Sequence, residues 1–106
     1  MFHPNKYKAK KIEIDGITFH SLAEGKRYRQ LKMLMQMGHI KDLELQPEYT
    51  ITIEGIKICK VILDFRYVLT ATNKTIIEDV KGMDNPLSSL KRKLVEALFK
   101  IKVTLC

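Results

Sequence analysis

A chain of 106 residues, 45% apolar and 29% charged and without a low-complexity tract, is sized for a single domain over 1–106 with a modest core, which argues against disorder and against a second domain. Nineteen Lys and Arg against twelve Asp and Glu give a formal charge of +7, which points to a polyanionic partner such as nucleic acid or, more blandly, to a solubilising surface. Cys59 and Cys106 lack the paired spacing of a zinc site, the start has no signal-peptide core, and no apolar run approaches membrane-spanning length, so a soluble cytoplasmic protein with no membrane partner is expected.

Residues 1–11 read as a basic arm, with Lys6, Lys8, Lys10 and Lys11 around Tyr7 and no apolar periodicity to dock it. Ile12 to Phe19 follows as a β-hairpin, because Asp15-Gly16 tolerates the positive φ of a type I′ turn. Ser21-Leu22-Ala23-Glu24 fits a capping box and opens a helix running to about Met37, stopped by Gly38. Glu24 shares its inward stripe with Tyr28, Leu31 and Met35, whereas Lys26, Arg29 and Gln36 lie opposite. A carboxylate there needs a partner, which either a capping amide or a metal supplies.

Ile40–Leu45 reads as a weakly alternating strand that ends at Gln46-Pro47. Tyr49–Ile53 and a long strand from Ile56 to Tyr67 form a second hairpin about Glu54-Gly55. On the long strand Val61, Leu63, Phe65 and Tyr67 share one face, and Ile62, Asp64 and Arg66 the other, which sets Asp64 into a largely buried element. A polar turn leads to a strand over 75–81, and Asn85-Pro86 caps a helix whose apolar stripe is Leu87, Leu90, Leu94, Ala97, Leu98 and Ile101. Lys91, Arg92 and Lys93, with Ser88, give its N-terminal half either a phosphate-attracting or a merely solvated basic face. A short strand over 101–105 closes the chain.

Asp79 and Lys81 point the same way on their strand, with Val80 opposed. If Asp64 stands at the same height on the neighbouring strand, two hard oxygen donors meet beside an ammonium, an arrangement suited to Mg²⁺ and phosphodiester cleavage. Asp64 and Asp79 are then the metal ligands, the Val80 carbonyl a third oxygen, and Glu24 a direct or water-mediated contact. Lys81 holds the attacking water or the phosphate. Glu78 points to the other face and ranks below Asp79. A surface ion pair between Asp79 and Lys81 is the simpler alternative. His3, His20 and His39 lack metal-binding spacing and receive no role.

The ordered array Ser21-Leu22-Ala23-Glu24, Gln46-Pro47, Asp64-Phe65 and Glu78-Asp79-Val80-Lys81-Gly82 resembles the PD-(D/E)XK nuclease superfamily. More narrowly, it is similar to small phage and prophage proteins of unknown function that begin with a segment like Asn5-Lys6-Tyr7. The resemblance implies a restriction-endonuclease-like α/β (α+β) fold with an αβββαβ core, a mixed sheet flanked by helices. It also implies Mg²⁺ or Mn²⁺ as cofactor, DNA as partner, a bacterial host cell as the setting, and hydrolysis leaving a 5′ phosphate. It places Glu24, Asp64, Asp79 and Lys81 in the catalytic set and Gln46 and Glu78 beside it. Leu63 stands where the superfamily pattern has proline, and the short C-terminal region leaves little room for a specificity domain. The expected activity is a metal-dependent DNA endonuclease in recombination, repair or packaging. A branched substrate favours a homodimer, because two strands are cut. The rival readings are a nucleic-acid-binding module without catalysis and a structural or regulatory phage protein.

Overall fold

The computed structural model describes residues 11–80 and 85–106. β1 (Ile12–Ile14) and β2 (Ile17–Phe19) form the expected antiparallel hairpin. Asp15 at φ 55° and Gly16 at φ 76° supply the two left-handed positions that a type I′ turn demands. The hairpin leads into α1 (Leu22–Gln36), where the Ser21 hydroxyl accepts the Glu24 amide at 3.1 Å and Gly38 at φ 80° ends the last turn. Tyr28 and Leu31 are buried along its inner face as the spacing requires, and Lys26, Arg29 and Gln36 are exposed.

The hairpin lies tightly on α1. A Cβ built on Gly25 would stand 2.7 Å from the Ile12 Cγ2 and 3.1 Å from the Ile14 Cδ1. Gly25→Ala is therefore expected to destabilise by about 1–3 kcal/mol, since overpacking outweighs the helix-propensity gain of up to about 1 kcal/mol. Urea denaturation of the variant checks this. A net gain in stability would mean that the hairpin yields without cost.

β3 (Ile40–Leu45), β6 (Phe65–Leu69), β7 (Thr75–Asp79) and β8 (Val103–Leu105) make a mixed four-stranded sheet in that order, antiparallel except for the parallel β7–β8 pair. α2 (Pro86–Phe99) is the crossover between β7 and β8, as a parallel pair requires. Counting only the sheet strands, the order from α1 onward is αβββαβ, with β4 (Glu48–Ile53) and β5 (Ile56–Ile62) inserted as a separate ribbon. The fold is mixed α+β with an N-terminal hairpin, as the sequence implied.

The single long strand expected over 56–67 is broken. β5 ends at Ile62 and β6 begins at Phe65, and the two belong to different sheets. Pairing nevertheless runs on without a slip, from Leu45↔Phe65 to Glu48↔Ile62. Across the gap, the Gln46 amide donates to the Asp64 carbonyl at 2.9 Å and the Leu63 amide to the Pro47 carbonyl at 3.0 Å. One antiparallel ladder is thus bent at 46–47 and 63–64. The cause lies on the partner strand, where Gln46 takes φ 52° and Pro47 has no amide to donate.

The bend divides the core in two. Phe65 and Tyr67 pack with Phe19, Tyr28, Leu31 and Ile40 on the α1 side. Val61 and Leu63 pack with Tyr49, Ile51, Ile77, Val95 and Val103 on the α2 side. The predicted alternation holds, since all four of Val61, Leu63, Phe65 and Tyr67 are buried. The stripe expected on α2 is corrected: Val95 is its fully buried residue, Leu94 and Ile101 pack only in part, and Leu87, Leu90 and Leu98 remain exposed. No helix among the described residues is long and apolar enough to cross a membrane.

Candidate active site

The bend that splits the core also positions Asp64. Its amide donates to the Glu78 carbonyl at 3.1 Å, one step beyond the Phe65↔Glu78 pair, so Asp64 stands level with Asp79 at the end of β7. Its Oδ2 accepts the Val80 amide at 2.6 Å, which ties the carboxylate to the chain just past β7. Burial first, and then the nearby Glu24 and Asp79 carboxylates, push the Asp64 carboxyl up to about 7 despite the Val80 hydrogen bond. Asp64 therefore feels two acids distant from it along the chain.

Glu24 lies in the first turn of α1, partly buried, and its backbone amide is the one capped by Ser21. With Gln46 and Asp64 it lines a cavity of about 120 Å³ whose walls include Thr18, Phe19 and Phe65. Gln46, singled out by resemblance alone, thus faces the same space as two of the acids. Asp79 looks toward α2, where the Arg92 guanidinium approaches its Oδ2 at 3.6 Å.

Glu78 faces the opposite way. It is 1% exposed, grips Arg27 through Nε–Oε1 at 2.8 Å and Nη2–Oε2 at 2.6 Å, and accepts the Tyr67 hydroxyl. Burial raises its carboxyl, but the hydrogen bonds from Arg27, Tyr67 and Cys106 outweigh that and hold it below the usual value. The same contact, after burial itself, pushes Tyr67 up to about 12. Glu78 anchors α1 to the sheet and has no oxygen to spare for the site.

Lys91 and Arg92 line a second cavity on the α2 side of Asp79, and Lys93, beside them, is exposed and does not. Lys11 is exposed ahead of the hairpin. Lys6, Lys8 and Lys10 of the basic arm and Lys81 of the Asp79-Val80-Lys81 motif lie outside the described residues. Lys60 on β5 joins Lys91 and Arg92 in the second cavity, a placement invisible to the sequence because β5 reads as an ordinary half-exposed strand.

Among the described residues no group of three or more His, Cys, Asp or Glu is placed to hold a metal ion. A dedicated all-protein cage is not what Mg²⁺ needs. It keeps several waters and takes one or two carboxylates plus substrate phosphate oxygens, and Asp64 with Asp79 meets that description. Burial is the main cause of the raised Asp64 carboxyl, and a divalent cation would relieve the smaller part that comes from Glu24 and Asp79.

A model of the family described as protein of unknown function (DUF1064) matches residues 4–105. The chain belongs to that family. No curated protein and no solved structure matches it. The family match spans the bend, both cavities and every acidic site residue.

Proposed function

We propose that the protein is a metal-dependent DNA endonuclease of the PD-(D/E)XK type, phage or prophage derived, using Mg²⁺ or Mn²⁺. The observation that supports the reading is that Asp64 stands level with Asp79 across neighbouring strands and shares a small cavity with Glu24 and Gln46. An αβββαβ order, with both acids at adjacent ends of neighbouring strands, supports the resemblance drawn from the motif.

Asp64 and Asp79 would hold the cation, with the Val80 carbonyl as a further oxygen and Glu24 reaching it directly or through water. When bound, a divalent cation lowers the pKa of water and neutralises charge developing on the phosphate. The Val80 amide holds the Asp64 carboxyl through Oδ2, and the Asp79 side chain is its other hydrogen-bonding neighbour. Glu24 and Gln46 line the small cavity beside Asp64, where they would orient a water by hydrogen bonding. Lys81, two positions past Asp79 in the sequence, supplies the ammonium that holds the attacking water or the phosphate.

A proton and the cation compete for Asp64. Below pH 7 the apparent affinity for Mn²⁺ is expected to rise with pH, by up to about tenfold per unit, and to level off above it. Titration calorimetry at several pH values in two buffers of different ionisation enthalpy checks this through proton release. A pH-independent affinity between about 5.5 and about 8 contradicts it.

The function is tested by incubating the protein with linear, nicked and four-way-junction DNA in Mg²⁺, Mn²⁺ or EDTA. Metal-dependent cutting supports the endonuclease, and preferential junction cutting with a dimeric mass in sedimentation supports a homodimer acting on branched DNA. Binding without cutting in any metal supports the nucleic-acid-binding module instead, which the +7 charge would also serve.

A further inference from the structure

The second cavity, about 350 Å³, opens between β5, the end of β7 and the first turns of α2, and brings Lys60, Ser88, Lys91 and Arg92 together against Asp79. The geometry points to a phosphate subsite there, which takes a phosphodiester neighbouring the one at the carboxylates. This deepens the nuclease reading and rests on it for the polarity of the strand, but the anion site itself stands on its own residues.

Three cations from two elements face Asp79 and, through an exposed Lys60–Glu48 pair at 3.8 Å, one further carboxylate, so the cluster keeps a net positive charge. Lys60 comes from the ribbon and the other two from α2, so the charge converges across a cleft and is not spread along one helix face. Ser88 adds a hydroxyl, and its amide is already capped by Asn85 at 2.9 Å, which leaves the side chain as the contributing group. A volume of about 350 Å³ accommodates a phosphate with its sugar.

Arg92 gives the site its link to the carboxylates. Its side chain is 13% exposed, and it stands 3.6 Å from Asp79 Oδ2, longer than a well-formed charged hydrogen bond. A phosphate in the cavity offers the guanidinium two oxygens in a fork.

The test uses thymidine 5′-monophosphate and thymidine as probes, titrated by NMR in EDTA so that no metal takes part. The nucleotide is expected to bind and the nucleoside not to, and Lys60→Ala and Lys91→Ala are each expected to weaken the nucleotide by about tenfold. Lys93→Ala, which removes the same charge from outside the cavity, is expected to change it less than about twofold. Asp79→Asn is expected to tighten it, since the variant removes a carboxylate lining the cavity that repels the phosphate. Equal binding of nucleotide and nucleoside, or equal losses in Lys60→Ala and Lys93→Ala, would overturn the subsite and leave only diffuse positive charge. Because no cation is present, a failed cleavage assay leaves this result intact, and a failed titration leaves the endonuclease reading intact.

Discussion

Asp64→Asn and Asp79→Asn are each expected to lower metal-dependent DNA cleavage by at least roughly 10²–10³-fold while leaving a folded protein, because each removes a negative charge that would balance the cation. Loss of activity alone would not separate a site from a scaffold. The stability of the two variants does. The wild-type Asp64 carboxyl, raised to about 7, holds its proton more tightly in the folded chain than in the unfolded one. Its favourable contribution is complete below the unfolded value near 4 and is lost as pH rises through 7. At pH 8 the native state therefore carries a repelling, part-buried charge.

Asn in place of Asp64 removes that charge and keeps an oxygen to accept the Val80 amide, so the variant gains stability over wild type as pH rises from 5 to 8. Asp79→Asn relieves the same repulsion but weakens the Arg92 contact, so its change is smaller. Denaturation at both pH values, set beside cleavage rates, reads both effects. Inactive variants that are also less stable at pH 8 would make Asp64 a structural residue whose removal harms the fold.

Arg27→Ala is expected to have the largest effect on stability, about 3–5 kcal/mol, toward the low end because the arginine side chain is 26% exposed. For a chain of this size that corresponds to a fall of roughly 10–20 °C in melting temperature. The substitution leaves Glu78, 1% exposed, with the Tyr67 hydroxyl and the Cys106 thiol in place of a bidentate cation. The pH dependence follows from the direction of the shift. The Glu78 carboxyl is held low in the folded state, so its contribution is present above the unfolded value near 4.5 and is lost as pH falls through the folded one. Wild type should thus lose stability steeply in acid, and Arg27→Ala should lose less. Replacing the whole cluster by Arg27→Met, Glu78→Met and Tyr67→Phe is expected to restore most of the stability, since apolar packing removes the desolvation cost along with the pair. Cleavage by the triple variant should survive, because Glu78 faces α1 and not the carboxylates. A mild effect of Arg27→Ala, under about 1 kcal/mol, would mean that the pair behaves as an exposed one.

These two clusters show which parts of the molecule its sequence declares. Asp15-Gly16, Ser21 with Glu24, Gly38 and Asn85-Pro86 specify their turns and caps through local backbone preference, and each appears where the pattern put it. Alternation along 61–67 correctly sorted inward from outward residues, and alternation on β7 put Glu78 and Asp79 on opposite faces. The bend at 63–64 was not legible, because the apolar alternation passes through Leu63-Asp64-Phe65 without a breaking residue. The break is imposed across the ladder by Gln46 and Pro47, seventeen or so positions earlier. Arg27 gave no local sign of its role either, since its partner Glu78 lies 51 residues away. The exposed leucines of α2 mark the reverse failure: helical periodicity identifies a stripe but not how much of it the ribbon beneath can cover.

The proposed cation site of Asp64, Asp79 and Glu24 can be measured without DNA. Titration calorimetry with Mn²⁺ at pH 8 should show one saturable site in the wild type that is abolished in Asp64→Asn and in Asp79→Asn, weakened in Glu24→Gln, and unchanged in Arg27→Met/Glu78→Met/Tyr67→Phe. Wild-type protein that takes up no Mn²⁺, or a site that persists when both aspartates are replaced, would contradict the account.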